Sequence, residues 1–138
     1  MDNNTIRDKS FKFAVRIVRL YQFLAESKKE YVLSRQLLRC GTSIGANVVE
    51  ALDAVSRREF INKMSISLKE CSESIYWIDL LYRTDYITEP QYNSIQADSR
   101  ELKRILSSIV KTTKQTLQQG TLILNFQFSI ILLRGGLS

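Results

Sequence analysis

Residues 92–113 read YNSIQADSRELKRILSSIVKTT, and in this stretch Tyr92, Ile95, Ser99, Leu102, Leu106, Ile109 and Thr113 recur at alternating steps of three and four. That alternation sets one residue per turn on a single face of an α-helix, the packing seam of a bundle or coiled coil. Just upstream, Thr88-Glu89-Pro90-Gln91 offers a cap with proline in the first turn, where its missing N–H is no loss. The same period occurs three more times. Ile6, Phe13, Ile17, Leu20, Tyr21 and Leu24 share one face, with Asp2 to Thr5 as cap candidates. After the polar break at 26–29 come Leu33, Leu37, Cys40, Ile44, Val48, Ala51 and Val55. Ser56 followed by Glu59 reads as a capping box, opening a helix with Phe60, Met64, Leu68, Cys71, Ile75, Ile78 and Tyr82 on its seam. Helices near 4–25, 31–54, 57–83 and 89–118, joined by short links, predict an all-α, antiparallel up-down four-helix bundle.

Composition agrees. A chain of 138 residues with 44% hydrophobic side chains can build one core, and one proline with five glycines leaves little material for the turns of a β-sandwich. Beyond 118 the pattern changes: Leu124, Phe126, Phe128 and Ile130 alternate with Asn125, Gln127 and Ser129, the period of a strand. A lone strand has no partner in a helical bundle. The expected division is therefore a bundle domain over 1–118 and a non-helical, poorly ordered apolar tail over 119–138, with self-association of the tail as the alternative. The apolar run Thr121 to Leu133 is too short and too polar to span a bilayer, and the chain opens on polar residues, so a cytoplasmic protein with no membrane partner is expected.

Histidine is absent. This excludes His-dependent triads, HExxH zinc sites and Glu-x-x-His di-iron bundles. Ser43 and Thr42 lack a general base, and a cluster of Glu50, Asp53, Glu70 and Glu73 would suit only hard ions such as Mg²⁺ or Ca²⁺. No catalytic, cofactor-binding or metal residues are expected, and no enzyme. Cys40 and Cys71 lie in no CxxC pair and read as small buried hydrophobes.

Twenty basic against fourteen acidic residues give +6. Residues 1–60 and 101–138 are each +4, whereas 61–100 is −2. At 100° per residue Lys9, Lys12, Arg16 and Arg19 fall within about 80° on the first helix, and Arg100, Lys103, Arg104, Lys111 and Lys114 within about 100° on the fourth. First and last helices are neighbours in an up-down bundle. Two such stripes suit phosphate contacts, and no RNA-recognition, zinc-finger or helix-turn-helix signature adds base reading. The third helix, with Tyr76, Trp77, Ile78, Leu80, Leu81 and Tyr82, is apolar almost all round and predicts a homo-oligomer.

The second helix holds Arg39-Cys40-Gly41-Thr42-Ser43-Ile44-Gly45-Ala46-Asn47-Val48-Val49-Glu50-Ala51. Each glycine inside a helix costs about 1 kcal/mol relative to alanine, so close approach of a neighbouring backbone is expected at Gly41 and Gly45. Asn47 and Glu50, three apart, are placed to bond across to another helix or subunit, with Arg39 or a buried hydroxyl as the expected partner of Glu50. This string resembles the hallmark of the four helix bundle proteins, also called 23S rRNA intervening-sequence proteins, with Arg39, Ser43, Ile44, Gly45, Ala46, Asn47 and Glu50 in the motif. The likeness continues through Glu59-Phe60, Lys69-Glu70, Glu73, Trp77 and Leu81 to Asp85-Tyr86-Ile87, where the family usually has Gly-Tyr-Ile. It covers about residues 5–117. The resemblance implies a bacterial bundle protein, often a ring-like homopentamer, with no catalytic activity and, in one branch, basic nucleic-acid-binding pentamers that assist reverse transcriptases. The reading that follows is a non-enzymatic oligomer binding RNA or DNA without sequence specificity; the alternative is a structural adaptor with a protein partner.

Overall fold

The computed structural model describes residues 3–135 and contains four helices: α1 (Asn3–Ser27), α2 (Leu33–Leu52), α3 (Arg57–Arg83) and α4 (Glu89–Gly135). Consecutive helices pack side by side, and α1 meets α4 more sparsely to close the bundle. The seams are those of the sequence pattern. Ile6, Phe13, Ile17 and Leu24 of α1 face Leu37, Cys40, Ile44 and Val48 of α2, and Met64, Cys71, Ile78 and Leu81 of α3 face Ile95, Leu102 and Leu106 of α4, all buried. Val55 departs from its expected place: α2 ends at Leu52, and Val55 stands almost fully exposed in the link to α3. The cap candidate Asp2 lies outside the described residues.

Polar side chains enter the core where they find a partner. The Ser67 hydroxyl donates to the Ile44 carbonyl (2.9 Å), joining α3 to α2. Gln96 Nε2 donates to the Ile75 carbonyl and to Asp79, which also accepts from the Tyr92 hydroxyl, joining α3 to α4. Both cysteines are free and buried. Burial pushes their thiols up to about 11 for Cys40 and about 12 for Cys71, so both stay protonated and unreactive at neutral pH.

The helix starts follow local chemistry. Ser56 Oγ accepts from the Glu59 amide, while the Glu59 carboxylate reaches back to the Val55 amide. Thr88 and Gln91 form the reciprocal box at α4. At α2 the cap is less obvious: Val32 occupies the cap position without a side-chain bond, and buried Glu30 accepts from the amides of Val32, Leu33 and Ser34 instead. In the α3–α4 turn Asp85 adopts a left-handed φ of 69°. This is the position at which a helix end favours glycine, and asparagine or aspartate bears it best after glycine.

The one substantial correction concerns the end of the chain. The expected helix end at 118 and non-helical tail over 119–138 are overturned: α4 runs unbroken for 47 residues to Gly135, and residues 136–138 lie outside the described part. Adding a residue to an existing helix gains a hydrogen bond without a new nucleus. A lone strand would leave its N–H and C=O groups unpaired. On a helix the alternation at 124–130 splits into two opposed apolar rows, Leu124 with Phe128 and Phe126 with Ile130.

Burial raises the Glu30 carboxyl, but the hydrogen bonds from Leu33, Ser34 and Val32 outweigh it and hold the group below its ordinary value. A lowered carboxylate adds stability that is fully present above the ordinary carboxylate range and is lost as pH falls through the folded value. Glu30→Ala is expected to cost about 1–2 kcal/mol at pH 7, as loss of a helix cap does, with the gap to wild type narrowing in acid. Urea melts at pH 7 and pH 3 check this; an equal gap at both would refute the role of the carboxylate.

Candidate nucleic-acid and assembly surfaces

The small residues of α2 let α1 come close. A Cβ built on Gly41 would lie 2.8 Å from Cγ1 and 2.9 Å from Cγ2 of Ile17. Ile17 is β-branched and fully buried, so it has no free rotamer in which to yield. At Gly45 a Cβ would meet the Ser10 carbonyl and hydroxyl at 3.4 Å, an ordinary contact. Gly41, rather than Gly45, is where only glycine fits.

The polar residues of the motif turn out to work along α2 more than across it. Ser43 Oγ donates to the Arg39 carbonyl, Thr42 Oγ1 to the Leu38 carbonyl, and Asn47 Nδ2 to the Ser43 carbonyl (2.8 Å). Asn47 therefore does not bridge to another helix. Nor does Glu50 pair with Arg39, which lies three turns away on α2; it pairs with Lys63 of α3 at 2.8 Å. Arg39 crosses instead to Glu73 (2.8 Å) and Glu70 (3.7 Å) on α3. Burial outweighs Arg39 in raising the Glu70 carboxyl. Burial also raises Glu73, but the Trp77 indole N–H and the Arg39 guanidinium outweigh it and hold Glu73 low. Glu50 and Glu73 are thus paired with cations, while Glu70 Oε2 is buried without a hydrogen-bond partner, and among the described residues no group of three or more His, Cys, Asp or Glu is placed to hold a metal.

The two basic stripes adjoin along the α1–α4 seam but differ in state. Lys9 pairs with Glu101 at 2.5 Å, and Arg16 with Asp98 at 2.6 Å and with Ser94, so half of the α1 stripe is neutralised by α4. Lys12 and Arg19 remain exposed. On α4, Arg100, Lys103, Arg104, Lys111 and Lys114 are all exposed and make no salt bridge among the described residues. Arg100, Lys103, Arg104 and Ser107 rim one shallow depression of about 430 Å³. A stripe read on one helix says nothing of acids on its neighbour, which is why the pairing of Lys9 and Arg16 was invisible in the sequence.

The surplus apolar surface also lies elsewhere than the sequence suggested. In α3 it is largely absorbed inside the chain, because α3 packs against both α2 and α4. Ile78 and Leu81 are buried, Tyr82 stacks on Tyr92 at 4.3 Å, and Trp77 is half-buried with Tyr76 edge-on to it. Within the bundle body, an open apolar patch lies on α1 and α2: Phe11 is 68% exposed, and Val15, Val18 and Val49 are exposed beside it. Phe11, Ala14, Thr42, Gly45, Ala46 and Val49 line a concavity of about 460 Å³ there.

The described residues thus form a four-helix bundle tightened at Gly41, with a cationic face on α4. The chain belongs to the 23S rRNA-intervening sequence protein family, whose model matches residues 2–108. It is similar to a protein of unknown function from the S23 ribosomal protein family of Bacteroides thetaiotaomicron VPI-5482. The two are 57% identical with a TM-score of 0.79, over 80% of this chain and 99% of that one. No curated protein matches the chain. No helix among the described residues is long and apolar enough to cross a membrane.

Gly41→Ala is expected to lower stability by about 1–3 kcal/mol through overpacking against Ile17. Gly45→Ala is expected to leave it unchanged or raise it by up to about 1 kcal/mol, the helix-propensity gain. Thermal melts of the two variants check the pair; equal effects would refute the assignment of the close approach to Gly41.

Proposed function

We propose that this protein is a non-enzymatic, oligomeric RNA- or DNA-binding protein that holds phosphates on the outer face of α4. The carrying observation is the row Arg100, Lys103, Arg104, Lys111 and Lys114, exposed and without an acidic partner among the described residues. Lys12 and Arg19 extend the row across to α1, while Lys9 and Arg16, already paired, contribute less. Cations fixed on helices contact phosphates in either nucleic acid and read no bases, so affinity without sequence preference follows. The link of the family's name to ribosomal RNA supports the same reading.

Self-association multiplies such a surface. The face carrying Phe11, Val15 and Val49 is a contact between copies, and the family resemblance points to five of them. A ring of cationic faces binds a polyanion at several places at once, which raises avidity without new contacts. The rival reading, an adaptor whose apolar α1–α2 face takes a different protein, draws on the same exposed Phe11 and assigns the charge to solubility.

Fluorescence anisotropy with labelled RNA and duplex DNA, run from 50 to 200 mM salt, separates the two. Binding should fall steeply, with a log–log slope of roughly −0.7 to −0.9 per phosphate contacted. Arg100→Glu/Arg104→Glu/Lys111→Glu should flatten that slope by about 2–3 while leaving the helical circular dichroism intact. Absence of binding at 50 mM salt would instead favour the adaptor. Independently, light scattering should give the wild type a mass several times the 16.0 kDa chain, and Phe11→Glu should lower it; a single-chain mass for the wild type overturns the oligomer.

A further inference from the structure

The last buried residue of α4 is Val110, yet the helix continues to Gly135. Projected at 100° per residue, Leu117, Thr121, Leu124, Phe128 and Ile131 fall within an arc of about 80°. That arc is in line with Ile95, Ser99, Leu106 and Val110, which α4 buries in the bundle. The core seam thus runs on past the end of the body with steps of four and three, and from Thr121 onward its residues are exposed. A second apolar row, Leu122, Phe126, Ile130 and Leu133, lies on the opposite side. Gln118, Asn125 and Ser129 run between the two, in line with Arg100, Arg104 and Lys111.

We propose that residues 117–134 are an oligomerisation helix that packs against the same segment of other copies of this chain, extending the bundle's 3–4 packing into a coiled-coil-like cluster. Four observations select this occupant. Eight large apolar residues between Leu122 and Leu133 are each 57–70% exposed. Together they present an exposed apolar area on the order of the ~800 Å² per partner that a standard interface buries. Residues 115–133 carry no charge, so identical copies meet there without the repulsion that the flanking basic faces would impose. Two opposed apolar rows suit a helix with helical neighbours on both sides, whereas a helix lying on a membrane shows one apolar face and one charged face. The segment also lies beyond the family-matched residues 2–108, and the 57% identical relative is covered almost whole by only 80% of this chain, so the segment is an addition to the body.

The test uses the full-length chain. Thr121→Cys places a thiol in the exposed seam and Gln118→Cys places one in the polar row, while the native Cys40 and Cys71 are buried and do not compete. Under mild oxidation Thr121→Cys should yield severalfold more covalent dimer than Gln118→Cys. The double variant Leu124→Gln/Phe128→Gln should lower the light-scattering mass. Adding Phe11→Glu to Thr121→Cys should leave the tail cross-link intact, which separates this contact from the α1–α2 face. Equal cross-linking at the two positions overturns the proposal, as does an unchanged mass for the double variant. Recovery of an otherwise monomeric wild type on phosphatidylglycerol vesicles overturns it too, by assigning the helix to a lipid surface.

Discussion

The approach of α1 to α2 at Gly41 is the constraint on which the bundle depends. Ile17 sits where a methyl group on residue 41 would have to be, and that distance sets the spacing of the first helix pair. Cys40 and Ile44, to either side of Gly41 in sequence, are buried and bond toward α3, where the Ser74 hydroxyl donates to Cys40 Sγ and the Ser67 hydroxyl to the Ile44 carbonyl. A wider α1–α2 gap would strip contacts from a fully buried Ile17 and open space in an interior that is normally close-packed. The small-residue string is therefore a spacing device first. Its hydroxyls and Asn47 amide satisfy their hydrogen bonds within α2, which frees the outer side of that helix to remain apolar around Ala46 and Val49.

Between the helices, polarity is used sparingly and in pairs. Ser67 ties α3 to α2, the Asp79–Gln96–Tyr92 set ties α3 to α4, and Arg39 with Glu73 staples α2 to α3. The buried bonds of Ser67 and Gln96 are satisfied in only one alignment of their helices, so a slip by one turn would leave buried groups unpaired at a cost of about 1–3 kcal/mol each. Apolar seams built on a repeating period tolerate such slips far better, because isoleucine and leucine recur at every turn.

The four helices were legible because their period is unbroken over many turns, and the starts of α3 and α4 carry Ser, Thr and Pro signals. Less of the rest was legible. Glu30 does not look like a cap, since it stands three residues ahead of the helix and reaches forward to its amides. Gln96, Ser67 and Ser74 are polar and yet buried, which a hydrophobic pattern cannot register. The tail was misread because alternation over seven residues has the period of a strand, and only continuity with α4 shows which backbone wins. For the basic rows, spacing on each helix was visible, but the acids opposite Lys9 and Arg16 belong to another helix, and Glu50 found Lys63 by a crossing that no single-helix wheel contains.

One consequence of the 47-residue α4 concerns phase. Body and tail share a single rod about 70 Å long, so the direction in which each tail row points is locked to the direction of the cationic row by residue count alone. An insertion of one residue between Lys114 and Thr121 would turn the tail by about 100° relative to the body, while seven would leave the two within about 20° of their present bearing. The linker is thus a gear rather than a tether: its composition is open to drift, but its length is quantised.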